Sequence, residues 1–280
     1  MSFNLNELSR EHIITVAHRG ICGGNIPCNT LASYEVALRS GADMIEIDVN
    51  KTLDDKLVIF HPGLEKMHLR HDGKPIPELT FEEVSKLRFV NMDDTPTEHG
   101  LCTLDEVFET FKGRCFINVD KFWEHPKAIS DAIKKHNIAD QVLVKTVPSN
   151  ELFELMETYA PEIMYMPILN SVSNGAHEKL MKSKINYIGC EVCFPNESCE
   201  VCSDQFIEKL HRDGKLVWVN SIVYDYRCVI SAGHNDDEAL FGDADKGWGW
   251  LVDKGFDIIQ SDWVLQLILY LKEKGKYFKK

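Results

Sequence analysis

Residues 41–61 read GADMIEIDVNKTLDDKLVIFH, and the order of carboxylates and aliphatic side chains within them sets the fold. On a strand, side chains two apart share a face. Glu46 and Asp48 therefore point together from the run Met44–Val49, while Ile45, Ile47 and Val49 pack the other way. Two carboxylates facing one way near the C-terminal end of a strand are costly to bury unless they are paired or hold a cation. A hairpin follows: Asn50–Thr52, a turn at Asp54-Asp55, then Leu57–His61.

Working outward, seven more apolar, β-branched runs read as strands: Ile13–His18, Cys115–Asp120, Gln141–Thr146, Ile163–Leu169, Tyr187–Val192, Leu216–Ser221 and Phe256–Ser261. Segments with helical spacing lie between them, at Leu31–Ser40, Leu104–Phe111, Pro126–His136, Asn150–Tyr159, Ala176–Lys182, Ser203–Asp213 and Asp245–Lys254, with Val264–Tyr277 after the last strand. Asn29-Thr30 marks one helix start, and Thr103 with Glu106 forms a capping box at another. Such alternation implies parallel strands with crossover helices, and eight units imply a (β/α)8 TIM barrel. A doubly wound open sheet is the competing architecture. The expectation is one barrel domain over residues 1–280, with a small insertion at about residues 50–102. Most of that insertion, from Glu65 to Gly100, is rich in Pro, Asp and His and reads as a solvated cover over a pocket.

The formal net charge is -13, from 44 acidic and 31 basic residues. That excludes a broad nucleic-acid surface, which needs clustered Lys and Arg, but not an anionic small substrate held by a cation. No signal peptide and no stable membrane anchor are read from the chain; Trp263–Leu271 is too short to span a bilayer and contains Gln266. Nine cysteines without a secretion signal suggest free thiols and a cytoplasmic location. Cys190, Cys193, Cys199 and Cys202 have zinc-like pair spacing, but the middle gap is tight; thiols without metal are the competing reading. Trp248 and Trp250 read equally as core or as helix-start residues. The oligomeric state is not readable.

The third strand adds Asn118 and Asp120 on one face, with Asp120 at its C-terminal end. In barrels that end carries the active site, so Glu46, Asp48 and Asp120 could converge on one divalent cation. An all-oxygen donor set favours Mg2+ or Ca2+. His18 closes the first strand, and the fork of Arg19 beside it suits a phosphate. Gly20 lets the chain turn sharply there. His61 ends the hairpin strand, so two histidines could move protons beside a metal. Trp218 and Asn220 share a face near the end of the seventh strand, where Trp218 could stack on a substrate or pack in the core.

These residues carry a resemblance. HRG at His18–Gly20, PCNT at Pro27–Thr30, GADMIEIDVNKTLDD at Gly41–Asp55 and LVIFH at Leu57–His61 resemble, in order and spacing, the glycerophosphodiester phosphodiesterases. INVD at Ile117–Asp120 and FDIIQSD at Phe256–Asp262 extend the likeness more sparsely. The resemblance implies a TIM barrel that cleaves a small-molecule phosphodiester to glycerol 3-phosphate and an alcohol. It implies a metal on Glu46, Asp48 and Asp120, acid–base roles for His18 and His61, and phosphate binding by Arg19.

The chain departs from the family pattern at four positions. Cys28 stands where the family has Glu, Pro62 where it has Asp after the histidine, Asp120 where Glu is usual, and Phe122 where Lys is common. Alternation along the strand aims Lys121 at the opposite face, and Lys145, ending the neighbouring strand, reads equally as a replacement cation for phosphate or as a surface or salt-bridged lysine. The departures keep open a weakened barrel that only binds a phosphodiester or a protein. A lipid-directed phosphodiesterase of the sphingomyelinase-D-like type is a further alternative, which an apolar rim at the barrel mouth would favour.

Overall fold

Each of the eight apolar runs forms a parallel strand in the computed structural model, which describes residues 3–278. The outermost residues of the expected 1–280 domain, 1–2 and 279–280, lie outside the described residues. The strands are β1 (Ile14–Ala17), β2 (Met44–Lys51), β4 (Phe116–Asp120), β5 (Val142–Thr146), β6 (Met164–Leu169), β7 (Gly189–Val192), β8 (Leu216–Asn220) and β9 (Ile258–Ser261). The short β3 (Leu57–Ile59) pairs antiparallel with β2, as the hairpin reading requires. Because β1 pairs with both β9 and β2, the sheet closes into a barrel rather than an open sheet. Helices at Leu31–Arg39, Leu104–Phe111, Pro126–His136, Asn150–Tyr159, Ala176–Leu180, Asp204–Arg212, Trp250–Lys254 and Val264–Glu273 wrap the outside.

The period of two sorts the strand residues into two cores. Ile45, Ile47, Val49, Ile117, Val119, Val142, Val144, Val217, Val219 and Ile259 face the helices. Ile14, Val16, Met44, Phe116, Leu143, Met164, Met166, Ile188, Leu216, Trp218 and Ile258 fill the barrel interior. A helix at Leu5–Glu11, which the sequence reading did not identify, closes the floor. Asn4 caps it, and Leu5 joins the interior cluster at 1% exposure. Above this apolar floor the interior turns polar, with Glu46, Asn118, Lys145, Glu191, Asn220 and Gln260 buried at successive strand positions.

The insertion differs from its expected character. Leu69, Ile76, Leu79, Val84 and Phe89 are buried together against Val58 and Phe60, so it holds a small core of its own beside β3. These apolar residues fall at irregular intervals, and so show no periodic signal.

The helical layer is also tied by charge. Asp105 accepts hydrogen bonds from His136 Nε2 at 2.6 Å and Lys135 Nζ at 3.0 Å, joining two neighbouring helices. Burial opposes the charged carboxylate, but the bonds from His136 and Lys135 outweigh it and hold the Asp105 pKa down, at about 2. A depressed carboxyl pKa stabilises the fold above the unfolded value, about 4, and the contribution is lost as pH falls through the folded value. Asp105→Asn should therefore cost about 1 kcal/mol at pH 7, after allowance for solvent screening, and almost nothing near pH 2. Urea melts at both pH values check this, and an equal loss at both would contradict it.

Candidate active site

The site forms where β1, β2 and β4 end. In the register of β2 with β4, Asp48 lies opposite Asp120, and Glu46 opposite Asn118. This convergence gathers one carboxylate oxygen each from Glu46, Asp48 and Asp120 within 4.8 Å of one another. Glu46 and Asp48 are buried, and the Asp120 side chain is 20% exposed. Burial, together with the charge of Asp48, pushes the Glu46 pKa up to about 7.

Two neighbours orient the carboxylates. The backbone at Arg19 turns through the left-handed region, φ 57, and its N–H donates to Glu46 Oε2 at 2.9 Å. Its guanidinium Nε lies 2.8 Å from Asp48 Oδ2 as an ion pair. Gly20 follows at φ +80, and a Cβ there would stand 2.5 Å from Ser33 Oγ, so the turn needs glycine for packing as well as for its backbone angle. Asn29, buried and also left-handed at φ 57, donates from Nδ2 to Asp48 Oδ2 at 2.8 Å. Asn29 Oδ1 accepts from Tyr34 Oη, 2.8 Å away. The sequence reading used Asn29 only to mark a helix start. Asp48 Oδ1 is buried and has no hydrogen-bond partner.

A buried carboxylate oxygen without a donor is an expensive arrangement unless a cation meets it. The orphaned Asp48 Oδ1 and the all-oxygen donor set thus fit a hard divalent cation. This carboxylate trio is the one grouping of metal-binding geometry among the described residues. Cys190, Cys193, Cys199 and Cys202 do not form another, and all nine cysteines are free. Cys190 instead meets the Tyr187 hydroxyl at 3.0 Å, and burial pushes its pKa up to about 12.

The two histidines are held differently. His18 Nδ1–H donates to Asp262 Oδ1 at 2.7 Å. Burial pulls the His18 pKa down, but the bond to Asp262 and the charges of Glu46 and Asp262 prevail, and the net direction is up. His61 Nδ1–H donates to the carbonyl of Pro62 at 2.9 Å, so the backbone supplies the partner that the missing family Asp would have offered. Burial, with Arg19 and Lys121 nearby, pulls the His61 pKa down. A neutral His61 bonded in this way carries its lone pair on Nε2.

The Lys121 expectation changes. The strand ends at Asp120, so its alternation no longer governs Lys121. At φ 59 the chain reverses, and Lys121 Nζ returns to within 3.1 Å of Asp120 Oδ2. Phe122, at the family's lysine position, is buried in the outer core. Lys145 does line the site, but its ammonium is ion-paired to Glu191 and sits 4.0 Å over the Trp218 ring. Of its two readings, Trp218 follows the packed one: it is 0% exposed and donates from Nε1 to Asn220 Oδ1 at 2.8 Å. It underpins the site instead of facing a ligand.

Two connected clefts open from this centre. The inner one, about 220 Å³, descends past Lys121, Lys145, Glu191, Asn220 and Gln260. The outer one, about 490 Å³, runs past Cys22, Cys28, Leu64, Met67 and His68. His18, Arg19, His61, Ile222 and Tyr224 border both. Burial pushes the Cys28 thiol up to about 12, so it is neutral where the family carries a carboxylate. His68 lines the outer cleft, 3.9 Å from Cys28 Sγ, whereas His71 and Asp72 lie at the surface. Sequence reasoning missed Lys121, Glu191, Gln260 and Asp262 as site residues. Glu191 and Gln260 had a usable signal, a polar residue on the inward face of a strand.

A closed (β/α)8 barrel with a carboxylate trio and two histidines at the C-terminal ends of its strands is the class that fold and site define. A sequence family described only as a domain of unknown function matches residues 165–271. A glycerophosphodiester phosphodiesterase of Bacillus altitudinis is 34% identical over 213 residues, which are 72% of this chain and 82% of that protein. One from Bacillus subtilis is 40% identical over 83 residues, a match that spans 29% of this chain and 27% of that protein. Among solved structures, a glycerophosphoryl diester phosphodiesterase of Parabacteroides distasonis superposes with TM-score 0.77 at 18% identity, covering 97% of this chain and 92% of that one. A phosphodiesterase of Oleispira antarctica, in complex with its product sn-glycerol-3-phosphate, superposes at 0.68 with 19% identity, over 93% of this chain and 97% of that one. This chain belongs to the glycerophosphodiester phosphodiesterase family.

Proposed function

We propose that the protein, as one barrel domain with its insertion, hydrolyses glycerophosphodiesters to glycerol 3-phosphate and an alcohol. One divalent cation, Mg2+ or Ca2+, would be held by Glu46, Asp48 and Asp120. The observation that carries this reading is the pairing of two oppositely poised imidazoles across a cleft floored by convergent carboxylates. The activity named for the Bacillus altitudinis relative and the product in the Oleispira structure support it.

When bound, the cation supplies Lewis-acid stabilisation of charge on the phosphoryl oxygens. The chain's own residues do the rest. Arg19 and Lys121 set positive charge along the path of the phosphate. His61, neutral with its Nε2 lone pair available, accepts the proton of the attacking hydroxyl or water. His18, kept cationic by Asp262, gives a proton to the departing alcohol oxygen. A metal-titrated assay over a panel of glycerophosphodiesters, detecting released glycerol 3-phosphate, tests the reading. No turnover with any metal or substrate would leave a binding barrel in its place.

The panel should include a lysophospholipid. Leu64, Met67, Ile222, Val223 and Tyr224 line the outer cleft, with Met67 68% and Tyr224 62% exposed, and this apolar rim favours an amphiphilic alcohol. A cytoplasmic location is part of the proposal; the free thiols support it, and no helix among the described residues is long and apolar enough to cross a membrane.

The lysines separate by experiment. Lys121→Ala should raise KM roughly tenfold, the worth of one charge-assisted contact. Lys145→Ala should strand the buried Glu191 carboxylate and cost about 3–5 kcal/mol of stability. Steady-state kinetics and thermal melts of both variants decide. A Lys145→Ala protein with unchanged kcat and KM removes Lys145 from phosphate binding.

A further inference from the structure

Between β8 and β9 the chain runs through a long segment that places one carboxylate, Asp236, in the wall behind the site. Asp236 is 2% exposed. Its Oδ1 accepts from Ser221 Oγ at 2.7 Å, Trp248 Nε1 at 2.8 Å and Ser261 Oγ at 2.8 Å. Its Oδ2 accepts from the backbone N–H of Asp262 at 2.9 Å. It lines neither cleft. Its Oδ2 bond nevertheless ends on the residue that holds His18.

The geometry has a direct physical content. Asp262 is the first residue past β9, and its side chain is 45% exposed, so little packing fixes it. What fixes it is backbone. Ser261 Oγ donates to Asp236 and accepts from Trp263 N–H at 2.8 Å. Asp236 thus clamps residues 261–263 and aims the Asp262 carboxylate at His18 Nδ1. Trp248 extends the clamp into the outer core, where it is buried.

We infer that Asp236 is a positioning residue for proton transfer: it fixes the backbone at Asp262, and Asp262 in turn fixes the imidazole of His18. This rests on the proposed role of His18 in the hydrolysis. An amide at position 236 cannot reproduce the clamp. Donors surround both oxygens, so either orientation of Asp236→Asn sets an NH2 group against another donor.

A double-mutant cycle tests the coupling. Asp236→Asn should lower kcat about 10–100-fold with KM within about twofold, the usual effect of losing a supporting partner. In an Asp262→Asn background the same change should lower kcat by less than about twofold, because the path through Asp262 is already broken. Trp248→Phe, which removes one donor from outside the clefts, should give a smaller loss that also vanishes in that background. It carries the cycle if Asp236→Asn does not fold. Independently of turnover, the Nδ1 proton resonance of His18 in 15N-edited spectra should shift in Asp236→Asn. Losses that multiply in the double variant, or a His18 resonance that does not move, would overturn the inference. If the wild type turns over no substrate, the hydrolase reading fails and the His18 resonance alone decides the positioning claim.

Discussion

His18→Ala should lower kcat for a glycerophosphodiester by about 10²–10⁴-fold, the span that a positioned general acid contributes. The divalent cation should still bind. Asp262 occupies Nδ1 of His18, which leaves Nε2 as the nitrogen that can serve the cleft. The carboxylate trio does not depend on the imidazole, since Glu46 and Asp48 are held by Arg19 and Asn29. The leaving group then discriminates between roles. An alkoxide must be protonated as it departs, whereas a nitrophenolate leaves without help. The loss in His18→Ala should therefore shrink for a nitrophenyl diester. Equal losses for both substrates would assign His18 to something other than the acid. The same pair of substrates applied to His61→Ala should show no such difference.

Glu46→Gln should abolish turnover, by about 10³-fold or more, together with cation binding, because several kcal/mol of transition-state stabilisation leave with the ion. The titration of Glu46 gives this prediction a second readout. In the metal-free protein, burial and the neighbouring Asp48 hold Glu46 at about 7. Below that value the carboxyl is protonated, and above it the carboxylate is free to bind. A cation that binds at pH 6 must therefore displace about one proton, and one that binds at pH 8.5 almost none. Apparent affinity should rise with pH through this window and level off beyond it. Calorimetry in buffers of different ionisation enthalpy measures the proton count. A count of zero at pH 6 would mean that Glu46 is already ionised there or does not meet the ion.

The barrel and the carboxylate trio were legible in the sequence for one reason: both depend on local alternation. Glu46, Asp48 and Asp120 sit at alternate positions of two strands that pair in parallel, so period and strand end were enough to bring them together. Trp218 marks where that logic stops. Alternation placed it correctly on the inward face, but says nothing of depth along the barrel axis, and the ring lies in the packed interior. Lys121 fails for another reason, since a single left-handed residue after the strand reverses the direction that alternation assigns. The contacts of His18 are not local at all. Asp262 is 244 residues away, and Asp236 reaches it from a segment without periodicity. The helix at Leu5–Glu11 carries only seven residues, too few for a clear helical period, although its cap at Asn4 was readable in principle.

That same helix makes the barrel a blind well. Leu5 packs with Met44, Phe116 and Ile258 at one end of the interior, and the inner cleft lies at the other end, beside His18 and His61. Under the proposed hydrolysis, a diester cut beside the histidines would leave one fragment deeper in the cleft and the other nearer the rim. In that arrangement the rim fragment would depart first. The deeper fragment would then be the one that competes with the next substrate.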